Sequence, residues 1–330
     1  MQTRVRRLTV HTRRAFAIAR SSEDTFERVV LEVEQDGFTG RGEAAPSGRY
    51  DQDAQGAAEA LEGVEIEDPW DLEGTLRLNS GLPPAALAAL DSALHDLAAR
   101  RLGAPVYRML GLGRPEPVSA YTLGIADRET TVADAERLRG YPILKVKLGG
   151  WDDVETLRAV REVSEAELWV DANEAFSTEE AVELARELRG IVGMIEQPVP
   201  ASAGAGALRA VTEAAHPVPV IADEGAVDAS DVPKLAGSVS GVNVKLAKCG
   251  GIRGALGMVH TARAHGMRLM LGCMVETSLG IAAAAHVSGL FDFVDLDGAM
   301  LLADDPFAGL VYDKGRILLP DGPGLGVEPR

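Results

Sequence analysis

The chain has 330 residues, 46% of them hydrophobic and 25% charged, with a formal net charge of −17 and a pI near 4.8. That length predicts two domains rather than one core, and the acidity excludes nucleic acid as a partner, because phosphate binding needs a basic face. No apolar run reaches membrane-helix length, and the Arg-rich N-terminus lacks the apolar stretch of a secretory signal; Cys249 and Cys273 are the only cysteines, too few for a disulfide framework, so a cytoplasmic protein without a membrane partner is expected.

Residues 1 to about 45 read as strands. Arg28–Glu34 alternates, Gln35-Asp36-Gly37 makes a turn, and Phe38–Glu43 follows. Residues 53 to about 110 read as helices, the clearest running from Pro83-Pro84 to Arg101, with Leu87, Leu90, Leu94 and Leu97 at helical spacing and Gly103 as a stop. Strands followed by helices predict an α+β unit over residues 1–112.

From about residue 118 the pattern changes. Val118–Gly124, Ile143–Leu148, Leu168–Asn173, Met194–Gln197, Val218–Asp223, Val242–Lys245, Leu269–Cys273 and Phe293–Asp297 read as strands, with amphipathic stretches such as Glu179–Arg189 and Gly254–His265 between them. Eight strands are what barrel closure requires. The predicted fold is α/β: a modified TIM barrel of (β/α)7β type over 113–306, with the α+β unit as a cap. The tail from about Phe307 reads as turn, strand, turn and is expected to pack back on the cap. A doubly wound open sheet is the rival, but it gathers its ligand groups at one switch point.

Here charged residues close most of the apolar runs instead: Lys145 and Lys147, Asp171, Glu196, Asp223, Lys245, Glu276, then Asp295 and Asp297. Such groups at the end of a buried strand are costly unless paired or used, and one per strand is the pattern of an active site at the C-terminal mouth of a barrel. Asp171, Glu196 and Asp223 end three consecutive strands and would repel one another without a cation. Oxygen donors with no His or Cys favour Mg²⁺, with Mn²⁺ also acceptable. Asn173 and Gln197 are placed to orient those ligands or a bound water.

Lys147 lies on the strand before the first ligand and Lys245 on the strand after the last, so closure sets two amines on opposite sides of the metal. Lys145 points the same way as Lys147 by alternation, where it would lower the pKa of Lys147 and steady an oxyanion. Lys248 competes with Lys245 but reads as a surface lysine near Gly250-Gly251. A carboxylate chelated to a divalent cation has an acidified α-proton, because the enediolate left behind is stabilised. A base on one face and an acid on the other would invert that centre. Glu276, just past the seventh strand, reads as a supporting residue around the site.

These residues resemble the enolase superfamily, in its muconate-lactonizing subgroup. The motifs are Lys145-Val-Lys147, Asp171-Ala-Asn173, Glu196-Gln-Pro198, Asp223-Glu224, Val242-Asn-Val-Lys245 and Gly272-Cys-Met, with Gly40-Arg-Gly-Glu43-Ala and Pro323-Gly-Leu-Gly326 outside the barrel. A lysine base working with Mg²⁺ is the known hallmark of that superfamily. Within the subgroup the chain is similar to dipeptide epimerases of the L-Ala-D/L-Glu type. That resemblance implies Lys147 and Lys245 as the acid/base pair and Asp171, Glu196 and Asp223 as metal ligands. It also implies Asp295 and Asp297 as partners of the substrate α-ammonium, and Arg20 as the partner of a glutamyl carboxylate. It implies a small dipeptide substrate and a role in recycling cell-wall peptides; a homo-oligomer stays open. Two other readings stay open too. One keeps the site for a muconate-type cycloisomerase, an o-succinylbenzoate synthase or an N-acylamino acid racemase. The other is a barrel that binds a metal–carboxylate ligand without turnover.

Overall fold

In the computed structural model, which describes residues 1–330, the chain opens with three antiparallel strands. They are β1 (Gln2–Ile18), β2 (Ser21–Gln35) and β3 (Phe38–Ala44), in the order β1-β2-β3. Asp36 and Gly37 turn the chain between β2 and β3 with φ of 55° and 81°, the left-handed geometry that an Asp-Gly hairpin supplies cheaply. Helices α1 (Ala54–Glu62), α2 (Leu72–Leu78), α3 (Pro84–Arg101) and α4 (Val106–Met109) follow. Helix α3 lies so close to β3 that a Cβ on Gly40 would sit 2.1 Å from the Ala93 carbonyl oxygen and one on Gly42 2.0 Å from that of Ala89. Only glycine permits this approach.

The expected alternation of β2 holds on one face only. Val29, Leu31 and Val33 pack with α1 and α3 in the core of the cap. Val30, on the other face, belongs to the barrel core, and Arg28 beside it is also buried. Strand β2 is covered on both sides because the cap sits on the barrel mouth.

The second half runs β4 (Tyr121–Leu123), α5 (Arg128–Arg137), β5 (Ile143–Lys147), α6 (Asp152–Val163), β6 (Glu167–Asp171), α7 (Thr178–Glu187), β7 (Met194–Glu196), α8 (Gly204–Ala215), β8 (Val220–Ala222), α9 (Val232–Leu235), β9 (Gly241–Lys245), α10 (Leu246–Cys249), α11 (Ile252–Ala264), β10 (Arg268–Gly272), α12 (Ser278–Val287) and β11 (Phe293–Asp295). The eight strands from β4 to β11 form one parallel sheet in sequence order. It closes where the Ala120 N–H donates to the Val294 carbonyl at 3.0 Å, the Leu296 N–H to Ser119 Oγ at 2.7 Å, and the Thr122 N–H to Asp297 Oδ2 at 2.6 Å. The architecture is the expected (β/α)7β barrel, with every predicted strand present; six are shorter than expected, β9 is one residue longer and β10 is shifted by one residue toward the N-terminus.

Past the barrel, short strands at Phe307–Ala308, Val311–Asp313, Arg316–Leu318 and Glu328–Pro329 complete the fold. The tail touches both units. Glu328 pairs with Arg41 at 2.8 Å and Arg100 at 2.6 Å, and the Val106 N–H donates to the Gly324 carbonyl at 3.0 Å, while the Ser119 N–H at the barrel entrance donates to that of Gly315 at 2.8 Å.

Candidate active site

These strand ends put Asn173, Gln197, Asp223, Cys273 and Asp297 just beyond the ladder, in the loops at the barrel mouth. Backbone φ values of 42° at Asn173, 70° at Glu174 and 32° at Gln197 show the chain held in left-handed geometry there. Non-glycine residues persist in such conformations only where surrounding contacts hold them, and such positions cluster at functional sites.

A cavity of about 620 Å³ opens between the mouth and the cap. Lys145, Lys147, Lys245, Asp223, Asp295 and Asp297 line it from below, and Phe16, Ile18, Arg20, Arg28, Arg49 and Tyr50 from above. Lys147 on β5 and Lys245 on β9 lie four strands apart in the eight-strand order, so closure sets them on opposite walls. Asp171 and Glu196 are register partners on β6 and β7, fully buried beneath the floor.

Amines lie against these carboxylates. Lys147 Nζ donates to Asp171 Oδ2 at 2.6 Å, and Lys245 Nζ to Asp223 Oδ2 at 2.7 Å. Lys145 Nζ is 3.3 Å from Glu196 Oε2 and 3.7 Å from Asp171 Oδ2, and it pairs closely with Asp295. Burial pushes the Glu196 carboxyl up to about 8, with Asp171 adding to the effect. Asp171 goes the other way: burial opposes its charge, but Lys147 and Lys145 hold it below its ordinary value. Burial pulls the Lys145 and Lys245 ammonium groups down, yet their carboxylate neighbours outweigh it and hold both well above the usual lysine range.

The donor set fits a hard divalent cation, since it is all oxygen and buried. Four buried oxygens, Asn173 Oδ1, Glu224 Oε2, Asn243 Oδ1 and Asp295 Oδ1, have no hydrogen-bond partner in the protein, and a buried acceptor left alone is costly. The three carboxylates do not converge into a ready-made cage; the lysine amines stand between them. A cation bound there would take over part of the negative charge that now holds Lys145 and Lys245 protonated.

The supporting residues have specific tasks. Gln197 Oε1 accepts from the Asp223 N–H at 2.8 Å and the Gly225 N–H at 3.1 Å, and its amide donates to the Val199 carbonyl at 2.7 Å. It thus shapes the Asp223 loop instead of reaching the cavity. Asn173 donates to Glu224 Oε1 at 3.3 Å. Glu276 accepts from the Met274 N–H at 2.8 Å, and burial beside Glu43 raises it to about 7. Asp297 rises to about 6 through burial and the Asp295 charge; it also precedes a short 3₁₀ turn, Gly298–Leu301.

One placement differs from the expectation. Lys248 is not a surface lysine. It is 1% exposed, and its Nζ donates to Asp223 Oδ1 at 2.5 Å and to the carbonyls of Asp223, Ala226 and Asn243 at 2.7, 2.9 and 3.0 Å. The turn of α10 folds it under β8, so it does not face the cavity. Arg20 lines the cavity, but its guanidinium is engaged by the Asn173 carbonyl at 2.8 Å, Glu174 at 3.0 Å and Glu224 at 2.8 Å.

Several residues escaped sequence reasoning. Asn243 is fully buried and donates to Glu196 Oε1 at 2.6 Å; its place two residues before Lys245, on the same strand face, was the available signal. Glu174 ties both cap loops to the barrel through Arg20 and through Arg49, whose Nε and Nη2 each lie 2.9 Å from it. Tyr50, next to Arg49, lines the cavity, and burial near Asp223 raises its phenol.

A capped eight-stranded barrel with carboxylates on three consecutive strand tips between two opposed lysines defines an enolase-type protein. The chain belongs to the mandelate racemase / muconate lactonizing enzyme family: residues 2–111 match its N-terminal domain and residues 130–330 match the enolase C-terminal domain-like family. The chain is 40% identical over 326 residues to an L-Ala-D/L-Glu epimerase of Bacteroides thetaiotaomicron, covering 96% of this chain and 84% of that one. An L-Ala-D/L-amino acid epimerase of a Maribacter species is 36% identical over 337 residues, 99% of each chain. Among solved structures, a dipeptide epimerase from Enterococcus faecalis, complexed with Mg and L-Leu-L-Tyr, superposes with a TM-score of 0.94 at 29% identity, covering 99% of this chain and 98% of that one.

Proposed function

We propose that the protein is an Mg²⁺-dependent dipeptide epimerase that inverts the α-carbon of the C-terminal residue of L-Ala-D/L-Glu or a related dipeptide. The observation that carries this reading is the pair Lys147 and Lys245 on opposite walls of one cavity, with carboxylates on the strands between them. Asp171, Glu196 and Asp223 would hold Mg²⁺, which when bound draws charge from the substrate carboxylate and acidifies the neighbouring C–H. Lys147 exchanges the proton on one face of the α-carbon and Lys245 on the other, so removal by one and return by the other inverts the centre. Lys145 keeps a positive charge against the developing oxyanion. Asp295 and Asp297 give the α-ammonium anionic partners in a site that excludes water. Asn243, Asn173 and Gln197 keep the carboxylate tips in place, and the cap closes the cavity from above.

The tail contacts and the shift from antiparallel to parallel sheet support a cap of residues 1–112, a catalytic barrel of 113–306 and a tail of 307–330 that joins the cap. The two free thiols, Cys249 and Cys273, agree with a reducing compartment, the cytoplasm, where peptides from the cell wall would be recycled. No helix is long and apolar enough to cross a membrane.

The test is incubation of the Mg²⁺-loaded protein in D₂O with a dipeptide library that includes L-Ala-D-Glu. Uptake of one deuteron with inversion at the C-terminal residue is expected. No exchange with any dipeptide would end the proposal. Lys147→Ala should lower inversion roughly 10²–10⁴-fold, the usual contribution of a positioned base; undiminished inversion would remove Lys147 from its role.

A further inference from the structure

Six cationic side chains line the cavity: Arg20, Arg28, Arg49, Lys145, Lys147 and Lys245. Five of them pair with a carboxylate within 4 Å: Arg20 with Glu174 and Glu224, Arg49 with Glu174, Lys145 with Asp171, Glu196 and Asp295, Lys147 with Asp171, and Lys245 with Asp223. Arg28 alone has no such partner, although it is only 4% exposed. Its Nε donates to the Val275 carbonyl at 2.6 Å and its Nη1 to the Glu27 carbonyl at 2.6 Å. Those two bonds fix the guanidinium and leave Nη2 without a protein acceptor. Glu43, Glu276 and Glu23 act on it from a distance: Glu43 is committed to the N–H and hydroxyl of Thr277 and Glu276 to the Met274 N–H, while Glu23, on the same cavity wall, makes no ion pair with it. An isolated buried guanidinium is expensive unless something completes its coordination.

We propose that Arg28, and not Arg20, is the cation that selects the substrate: it recognises a second carboxylate on the dipeptide, beyond the one at the reacting centre. This rests on the epimerase reading for the identity of the ligand as a dipeptide. Arg20, the residue that the family resemblance points to, already holds two protein carboxylates through Nη1 and Nη2 and keeps only its Nε without a protein acceptor. Arg28 projects from β2, on the same strand face as Phe26 and Val30, and its charge lies 5.3 Å from the Phe26 ring centroid. Ring and loop hold the fork rigid, which lowers the entropy cost of binding a planar carboxylate. The second carboxylate can come from the side chain of either residue of the dipeptide, and the chemistry at Arg28 is the same.

The experiment titrates the Mg²⁺-loaded protein calorimetrically with two isosteric pairs, L-Ala-L-Glu against L-Ala-L-Gln and L-Glu-L-Ala against L-Gln-L-Ala. In one pair the acid should bind roughly tenfold or more tighter than the amide, as a buried charge-assisted fork requires. The pair that shows it identifies which residue carries the carboxylate. Arg28→Met should bring that ratio close to one, Arg28→Lys should retain part of it, and Arg20→Met should leave most of it. Equal binding within both pairs, an unchanged ratio in Arg28→Met, or a ratio lost in Arg20→Met would overturn the proposal. Should Arg28→Met fail to fold, Arg28→Lys decides, and a ratio equal to the parent's overturns it. Absence of deuterium exchange with a bound dipeptide would strike the epimerase reading instead, with the binding ratio still legible.

Discussion

Replacing Lys248 by Met separates a structural lysine from a working one. Lys248 Nζ is buried among four acceptors, Asp223 Oδ1 at 2.5 Å and the carbonyls of Asp223, Ala226 and Asn243 at 2.7 to 3.0 Å. Methionine matches its length but donates nothing. Three carbonyls lose their donor, and Asp223 keeps only Lys245 as a counter-charge. Removing one partner of a buried ion pair costs about 3–5 kcal/mol, which for a chain of this size lowers the melting temperature by on the order of 4–7 °C. Excess Mg²⁺ should recover part of that loss, because a cation at Asp223 balances the same charge. Lys245→Met is the control. Lys245 makes a single 2.7 Å bond and opens to the cavity, so its loss should cost much less stability while lowering inversion of the α-carbon roughly 10²–10⁴-fold. Differential scanning calorimetry of both variants, with and without Mg²⁺, reads the first effect, and chiral chromatography of the dipeptide after incubation in D₂O reads the second. A Lys248→Met variant that melts with the parent but no longer inverts the α-carbon would refute the reasoning and make Lys248 the working amine.

Gln197→Ala leaves the Asp223 and Gly225 N–H groups without their acceptor, so Mg²⁺ affinity measured by titration should fall about 10–100-fold, and unchanged affinity would show that the loop holds itself. Glu276, raised to about 7 in the fold by burial, binds a proton there that the unfolded chain has released. Its contribution is present at low pH and is lost as pH rises from the unfolded carboxyl value through about 7, on the order of 3 kcal/mol in all. Glu276→Gln should therefore flatten the fall in melting temperature between pH 5 and about 8, and an identical slope in parent and variant would contradict the assignment.

The strand-end charges were readable in the sequence because a charged residue closing an apolar run is conspicuous without any knowledge of its partner. Period-two alternation was a poorer guide at Arg28-Val29-Val30-Leu31. It assumes one wet face, and β2 has none where the cap rests on the barrel. Lys248 shows a related effect: Gly250-Gly251 after it point to an exposed turn, whereas α10 turns its amine inward against the Asp223–Ala226 loop. Asn243 went unassigned because a buried Asn in a strand carries no signal until its acceptor, Glu196, is seen two strands away.

By itself the sequence determined the order of elements, the cap-then-barrel division of labour and the kinds of side chain at each strand tip, since these depend on local periodicity and on the cost of burying charge. Tertiary structure alone decided which charges meet. Lys145 faces Asp295 across 150 positions and Arg20 faces Glu224 across 204, contacts made only when the barrel closes and the cap settles on it. Whether a given arginine is saturated or open to a ligand follows from that closure, because electrostatic pairing depends on distances of a few ångströms that no spacing along the chain encodes.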